Sequence, residues 1–199
     1  MKHTKDFVLE TLHFKLRYPS RDDIPAIFKA SQVSGFTDGM RWSPPQNEDE
    51  LIKPYEENTR AWAEGSTYCF SIVKKDNDEF LGRISIRRKE DAQKGIWDLG
   101  FFIIPQHQSK GHMTEALRAI LTFGFNELDA NKIEASYALS NKASERVLQK
   151  NGMTQHSHLS DNSDTQRENG FMKDGKWVEQ NTLSITQLEW NQLNATNLE

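Results

Sequence analysis

With 199 residues, a mass of 23.0 kDa and a formal net charge of -4, the chain can bury one full core, and its length favours a single domain spanning residues 1–199. Hydrophobic residues make up 36% and charged residues 27%, the range of ordinary soluble proteins, and Lys/Arg alternate with Asp/Glu without a basic block, which argues against a nucleic-acid partner. The single cysteine, Cys69, excludes an internal disulfide framework; no apolar run is long enough to span a bilayer, and Met1 to Asp6 lead into no secretory signal, so the cytoplasm is the expected compartment.

From Val8 to Tyr18 the chain alternates, with Val8, Leu12, Phe14, Leu16 and Tyr18 on one face, which predicts a strand. Ser20 and Asp23 are spaced as a capping box ahead of a helix carrying Ile24, Ile27 and Phe28. Asn47 and Glu50 mark a second helix start that Pro54 should kink or delay. Thr67–Lys74 and Phe80–Arg87 read as a hairpin around Asp76-Asn77-Asp78, with Cys69 a small buried hydrophobe of the first strand.

Ile96 to Ile104 is a nearly continuous apolar run ended by Pro105, the pattern of a central strand buried on both faces. Gly100 within it suggests a bulge or a close backbone approach. Met113, Ala116, Leu117, Ile120, Leu121 and Leu128 then recur at helical spacing, and Lys132 to Leu139 reads as a strand. Asn141 caps a further helix that Gly152 stops, followed by a strand near 153–159, a turn at Asp174-Gly175 and a strand near 181–187. The fold class is mixed α/β, and the closing Leu198-Glu199 reads either as native tail or as a cloning scar.

The segment with chemistry in it is Gln108-Ser109-Lys110-Gly111-His112-Met113-Thr114, between the apolar strand and the amphipathic helix. A short loop there aims unpaired backbone N–H groups out of a helix N-terminus, Gly111 permits close approach and Lys110 adds a positive charge: a site for phosphate or pyrophosphate, or else a plain strand-to-helix turn. Neither a Walker P-loop nor a dinucleotide glycine fingerprint is present. His156 and His158 share a strand face without a third ligand, so no metal is expected; His107 and His112 are read as exposed loop residues.

Gln108-x-x-Gly111-x-Met113 resembles the Q/R-x-x-G-x-G/A loop with which GNAT acetyltransferases hold acetyl-CoA. The wider run from Leu99-Gly100-Phe101 through Pro105 to Leu117, and Asn141-Lys142-Ala143-Ser144 with Val147 to Met153, resemble the branch of that superfamily that acetylates ribosomal-protein N-termini. The Leu9-Glu10-Thr11 and Ser20 to Asp23 segments and the tail Arg167 … Asp174-Gly175-Lys176-Trp177 extend the likeness over nearly the whole chain.

The resemblance implies one twisted, mostly antiparallel sheet whose fourth and fifth strands splay, flanked by helices, with acetyl-CoA as cosubstrate. The pantetheine arm would pair with backbone near Phe102, Ile103 and Ile104, the pyrophosphate would sit on the N–H groups of Ser109 to Thr114, and Asn141 would reach the arm. Many members carry a tyrosine as acid for the leaving thiolate at the position of Leu148; here the resemblance nominates Ser144 instead, whose alternative reading is a first-turn residue bonding locally. Met113 replaces the small residue that ends the loop motif. Asp98 and Glu134 are the candidate general bases, acting through water, and Trp42 with Pro44-Pro45 is a candidate for the rim of the acceptor site. The acceptor is a primary amine, a protein N-terminus first and a small molecule second; a non-catalytic acyl-CoA-binding module is the alternative, and a homodimer is allowed.

Overall fold

The computed structural model describes residues 2–89, 95–155 and 170–196. Eight strands form one sheet in the order β1-β2-β3-β4-β5-β6-β8-β7, antiparallel throughout except for the parallel pair β5–β6. The strands are β1 (Leu9–Glu10), β2 (Phe14–Arg17), β3 (Thr67–Lys74), β4 (Phe80–Arg88), β5 (Ile96–Ile103), β6 (Lys132–Ala138), β7 (Gly170–Lys173) and β8 (Lys176–Thr186). Five helices accompany them: α1 (Ile24–Ser31), α2 (Ile52–Glu64), α3 (His112–Glu127), α4 (Lys142–Lys150) and α5 (Gln187–Thr196).

The expected first strand is two short ones. Thr11 turns the chain, its hydroxyl donating to the Phe14 carbonyl at 3.1 Å and accepting from the Phe14 N–H at 3.0 Å, and Leu9 pairs back with Leu16. Leu12 therefore lies at the turn with 80% of its surface exposed and does not share the buried face of Phe14 and Leu16. The Ser20–Asp23 capping box forms as read and leads through one 3-10 turn into α1. The Asn47 side chain likewise accepts from the Glu50 N–H ahead of α2, where Pro54 falls in the first turn and breaks no helical bond. The α5 helix was not expected; it follows β8 directly, with the Glu189 carboxylate accepting from the Thr186 N–H at 2.8 Å.

One face of the sheet carries the main core. Phe14, Leu16, Phe70, Ile72, Ile84, Ile86, Leu99, Ile103, Ile133, Ala135, Leu183 and Ile185 pack there against α3, with Trp62 of α2, Leu148 of α4 and Trp190 of α5. Phe70 is fully buried at its centre, its ring 4.8 Å from Trp62 and 5.6 Å from Phe123. The opposite face alternates out of the same strands as Ser71, Arg83, Ser85, Arg87, Asp98, Gly100, Glu134 and Ser136. At one end of it α1 covers a smaller cluster of Ile27, Ala30, Phe80 and Ile104, with Phe102 packed against it. β5 is thus buried on one face only, and Gly100 is exposed within an unbroken register opposite Ser85. The bulge and the close approach belong instead to β4. Its register slips at Ile72/Val73, and a Cβ on Gly82 would stand 2.2 Å from the Phe102 carbonyl oxygen.

The α4 helix ends in a Schellman motif: the Gly152 N–H bonds to Gln149 O and the Met153 N–H to Leu148 O, with Gly152 at φ 79°. Buried Asn151 ties that end to the first turn of α3 by donating to the Thr114 carbonyl at 3.3 Å. Beyond it, Thr154 makes an isolated bridge to Ser184. The rest of the strand expected near 153–159, with His156 and His158, and Arg167, Leu198 and Glu199, lie outside the described residues. The Asp174-Gly175 turn joins β7 to β8 with φ of 47° and 75°, as a two-residue hairpin loop requires.

Candidate active site

β5 and β6 are hydrogen-bonded neighbours only where Ile96–Leu99 lie beside Lys132–Ala135. From Gly100 and Ser136 onward the two strands part, β6 staying with β8 and β5 with β4. The result is a V open at the C-terminal ends of two parallel strands. The sidedness of β5 decides what it can offer to this cleft. Ile96 O accepts from Lys89 N–H and Ile104 N–H donates to Leu81 O, both toward β4, so even-numbered residues turn their backbone groups to β4. Odd-numbered Phe101 and Ile103 turn theirs to the cleft. Of Phe102, Ile103 and Ile104, the expected partners of an extended ligand, Ile103 fits. Phe102 faces β4, and Ile104 is spent on Leu81 and, through its carbonyl, on the His107 N–H at 2.9 Å. Phe101, which the sequence reading omitted, is the second cleft-facing position; strand parity is invisible until the partner strand is known.

The Gln108 to Thr114 segment follows at the mouth of the V. Gln108 fixes it to the strand, its Nε2 donating to the Ile103 carbonyl at 3.0 Å. Ser109 and Gly111 adopt φ of 60° and 83°, and Gly111 is the N-cap of α3. The N–H groups of His112, Met113 and Thr114 are the first-turn donors that no intrahelical carbonyl can reach. A Cβ on Gly111 would meet nothing within 4 Å, so this donor ring faces open space. Met113 is buried in the core, where a long side chain is accommodated without touching the loop's outer surface. Lys110 bends back to the Gln106 carbonyl at 3.1 Å. Glu115 anchors the first turn of α3 by accepting from the His13 N–H at 2.8 Å and pairing with its ring. Burial pushes the Glu115 carboxyl up, but bonds from Thr11 and His13 hold it below its ordinary value.

His107 and His112 are not exposed loop residues. His107 is buried and lies 2.8 Å from a Glu79 carboxylate oxygen; His112 stacks edge-on against Phe14, and burial lowers its pKa and favours the neutral ring. A pocket of about 630 Å3 opens beside the loop, lined by Leu12, His13, Lys74, Lys75, Lys110 and Gly111 among others. It touches the loop and not the V or the polar sheet face.

Across the cleft, Asn141 caps α4, its Oδ1 accepting from the Ser144 N–H at 3.0 Å. Ser144 stands in that first turn, half-buried, its hydroxyl without a partner among the described residues. The segment from Gln32 to Asn47 passes over this region: a Cβ on Gly39 would lie 3.2 Å from Asn141 Nδ2. Three polar ties fasten the segment to the β7–β8 hairpin, namely Arg41 to Gln180 at 3.2 Å, Ser43 to Asp174 at 3.1 Å, and Lys173 to the Thr37 and Trp42 carbonyls. Trp42 packs with Phe36 and Phe102 at ring separations of 6.4 and 6.5 Å, the packing role weighed for it.

On the polar face below, Asp98 and Glu134 are register partners in very different settings. Glu134, 8% exposed, is held between Lys89 and Lys132, the latter at 3.2 Å. Burial raises its pKa, but the two lysines overcome this and keep it ionised, below its ordinary value. Among the described residues, Asp98 pairs with the Arg87 guanidinium, at 3.6 Å. Burial, with a smaller contribution from the Glu134 charge, pushes its carboxyl up despite Arg87 and Lys89. Cys69, fully buried with its thiol pKa raised by desolvation, is the inert packing residue expected. Among the described residues no group of three His, Cys, Asp or Glu side chains is placed to hold a metal, and no helix is long and apolar enough to cross a membrane.

Known proteins share this architecture. RimL, a ribosomal alpha-N-protein acetyltransferase solved in complex with coenzyme A, superposes with a TM-score of 0.76 at 17% identity over 90% of this chain and 98% of that one. Spermidine N-acetyltransferase from Vibrio cholerae, in complex with CoA and spermine, gives 0.72 at 18% over 89% and 98%. At these identities the likeness speaks for the fold alone. In sequence, the uncharacterized N-acetyltransferase YnaD of Bacillus subtilis (strain 168) is 28% identical over 127 residues, 61% of this chain and 66% of that protein. The matched region thus spans just under two thirds of that relative. Residues 13–154 match the acetyltransferase (GNAT) domain family, and this match covers well over half of the chain, including the V, the loop and the capped α4. The chain belongs to the GNAT acetyltransferase family.

Proposed function

We propose that the chain, folded as one domain, is an acetyl-CoA-dependent N-acetyltransferase that delivers an acetyl group to a primary amine by direct attack, the amine and the thioester being bound together. The observation that carries this reading is the parting of β5 and β6 immediately beside the uncapped N-terminus of α3. An extended amide-bearing arm can add to β5 at Phe101 and Ile103, while a pyrophosphate meets the donors of Ser109 to Thr114. The residues present fit such a ligand: the donors are unspent, the space over Gly111 is open, and Ile103 faces the cleft. Gln108 acts by positioning, since its side chain is spent on Ile103. Lys110 and Lys75 beside the 630 Å3 pocket offer countercharge to the nucleotide end.

When bound, acetyl-CoA supplies the acyl group as a thioester. The chain's own part is to hold the amine over the exposed Gly100, take up its proton and donate hydrogen bonds where negative charge develops. Asp98 serves as base, directly or through one water, because its raised pKa places it nearer the operating pH, whereas Glu134 is committed to two lysines. Backbone N–H groups of Phe101 and Ile103 serve the thioester oxygen, and Ser144, on the capped turn beside Asn141, passes its hydroxyl proton to the leaving thiolate while taking one from water, which regains it as Asp98 releases the amine proton to solvent. A protein N-terminal α-amine is the favoured acceptor, since its pKa of roughly 7.7–8.0 leaves far more neutral amine than a lysine at about 10.4. The fastening of residues 32–47 over the polar face favours a second reading, a small-molecule amine, because it narrows the approach.

Acetyl-CoA turnover measured by thiol release, on N-terminal peptides, lysine peptides, polyamines and aminoglycosides, tests the proposal, with Asn141→Ala plus Ser144→Ala alongside. Turnover on one amine class, lost in the double variant, is expected. Binding of acetyl-CoA without turnover on any amine would leave a binding module instead.

A further inference from the structure

Arg83 lies on β4, on the polar face, between Ser71 of β3 and Phe102 of β5. Its Nε and Nη2 are both buried and make no hydrogen bond to any described residue. A guanidinium taken out of water normally spends its donors on a carboxylate or on carbonyl oxygens. The carboxylate that Arg83 might have used is already satisfied. Asp23, 2% exposed, accepts from Arg17 at 2.8 and 3.2 Å, from Ser71 Oγ at 2.6 Å and from the Ser20 N–H at 2.9 Å. Asp98 is nearest Arg87, and Glu134 is held by Lys89 and Lys132. Among the described residues, no carboxylate of this part of the face is left to pair with Arg83.

Nε and Nη2 form the side edge of the guanidinium, whose two parallel N–H groups match the two oxygens of a carboxylate. Arg83 stands directly across from Phe102, the ring against which Phe36 and Trp42 pack, and on the same sheet face as the exposed Gly100. We propose that Arg83 is the acceptor-binding residue of this enzyme and that the acceptor is an amine bearing a carboxylate a few bonds from its nitrogen. This rests on the acetyltransferase reading above and names its substrate class. With the amine over Gly100 and the carboxylate on Arg83, the nitrogen lies within reach of Asp98 on the same face. A polycation such as a polyamine would meet an unpaired positive charge at this position. The carboxylate can come from a free amino acid or from an acidic side chain at a peptide N-terminus; both present the same pair of groups.

The test measures acetyl-CoA binding by calorimetry, then binding and turnover of matched acids and amides: L-alanine against alaninamide, and amidated tripeptides opening with Asp or Glu against Asn or Gln. The acids are expected to have KM values about 10- to 100-fold below their amides, the worth of a doubly hydrogen-bonded charged pair. Arg83→Gln should erase most of that preference, and Arg83→Lys should recover only part of it, with acetyl-CoA affinity changed less than about twofold and melting temperatures confirming the fold. Preference confined to the free amino acid, or to the acidic peptides, identifies the source of the carboxylate. Equal use of acids and amides by the unaltered protein overturns the inference, as does a preference that survives Arg83→Gln. If acetyl-CoA binds and no acid or amide binds or turns over, Arg83 loses this role while the cofactor half stands; if acetyl-CoA itself does not bind, the acetyltransferase reading falls first.

Discussion

The two faces of the sheet are built from the same strands and obey opposite rules. On the α3 face, Phe70, Ile84, Ile86, Leu99 and Ile133 are buried and interchangeable in kind, each contributing by the apolar area it hides. On the other face Arg83, Asp98 and Glu134 are few, charged and individually distinct, and moving any of them by one residue would send it into the core. The register partners Asp98 and Glu134 show how finely that second face is divided. Two lysines beside one carboxyl produce a structural ion; one guanidinium at 3.6 Å beside the other leaves a carboxyl that burial can push toward protonation. Proximity of two acids in a strand pair therefore says nothing about their roles until their partners are counted.

Substitutions should separate the faces. Phe70→Ala empties the centre of the core and should cost about 3–5 kcal/mol of stability, read as a lowered denaturant midpoint with loss of every activity together. Asp98→Asn should leave the melting temperature unchanged or raised while lowering turnover by about 10²–10⁴-fold. In the unaltered protein turnover should climb with pH through the raised Asp98 pKa, since the base works deprotonated, and Asp98→Asn should flatten that limb. An unchanged profile in the variant would remove Asp98 from the chemistry.

Gly111→Val should weaken acetyl-CoA binding by about tenfold or more, because a left-handed φ costs a β-branched residue about 1–2 kcal/mol and its side chain fills the space over the donors. Calorimetry should show this with little change in acceptor KM.

Glu134→Gln should have the smallest effect, about 1 kcal/mol, moderated because Lys89 is 46% exposed and can be rehydrated. The signs of the two acids differ. Glu134 has a folded pKa below its unfolded one, so its stabilisation is present above the unfolded value and lost as pH falls through the folded value. Asp98 has a raised folded pKa, so it lowers stability as pH rises from the unfolded to the folded value. Stability curves for the two single variants should therefore converge on the parent at low pH and depart from it with opposite signs as pH rises, Glu134→Gln falling below the parent and Asp98→Asn rising above it.

Local signals were strong enough to be read in advance wherever one segment completes its own structure. The Ser20–Asp23 box, the hairpin read at 67–74 and 80–87, the Asp174-Gly175 turn and the Asn141 cap all depend on residues close together in the chain. The first strand failed as a single element because the Thr11 hydroxyl turns the backbone there, a bond that alternation cannot reveal. β5 looked buried on both faces because its apolar run says nothing about whether helices cover both sides.

What the sequence determined by itself was the cofactor half: a strand, a donor-rich loop and a capped helix, contiguous in the chain and recognisable as such. Tertiary structure alone brought together the residues proposed to receive the acceptor. Phe36 and Trp42 lie on a segment tied to Gln180 and Lys173 and pack on Phe102 opposite Arg83, and among the described residues the unpaired edge of Arg83 remains because Arg17, Ser20 and Ser71 have already saturated Asp23. An arginine at an alternating strand position ordinarily reads as a solvated side chain; the burial of its Nε and Nη2 and its lack of a counterion among the described residues are properties of the assembled sheet, since both are set by neighbours distant in sequence.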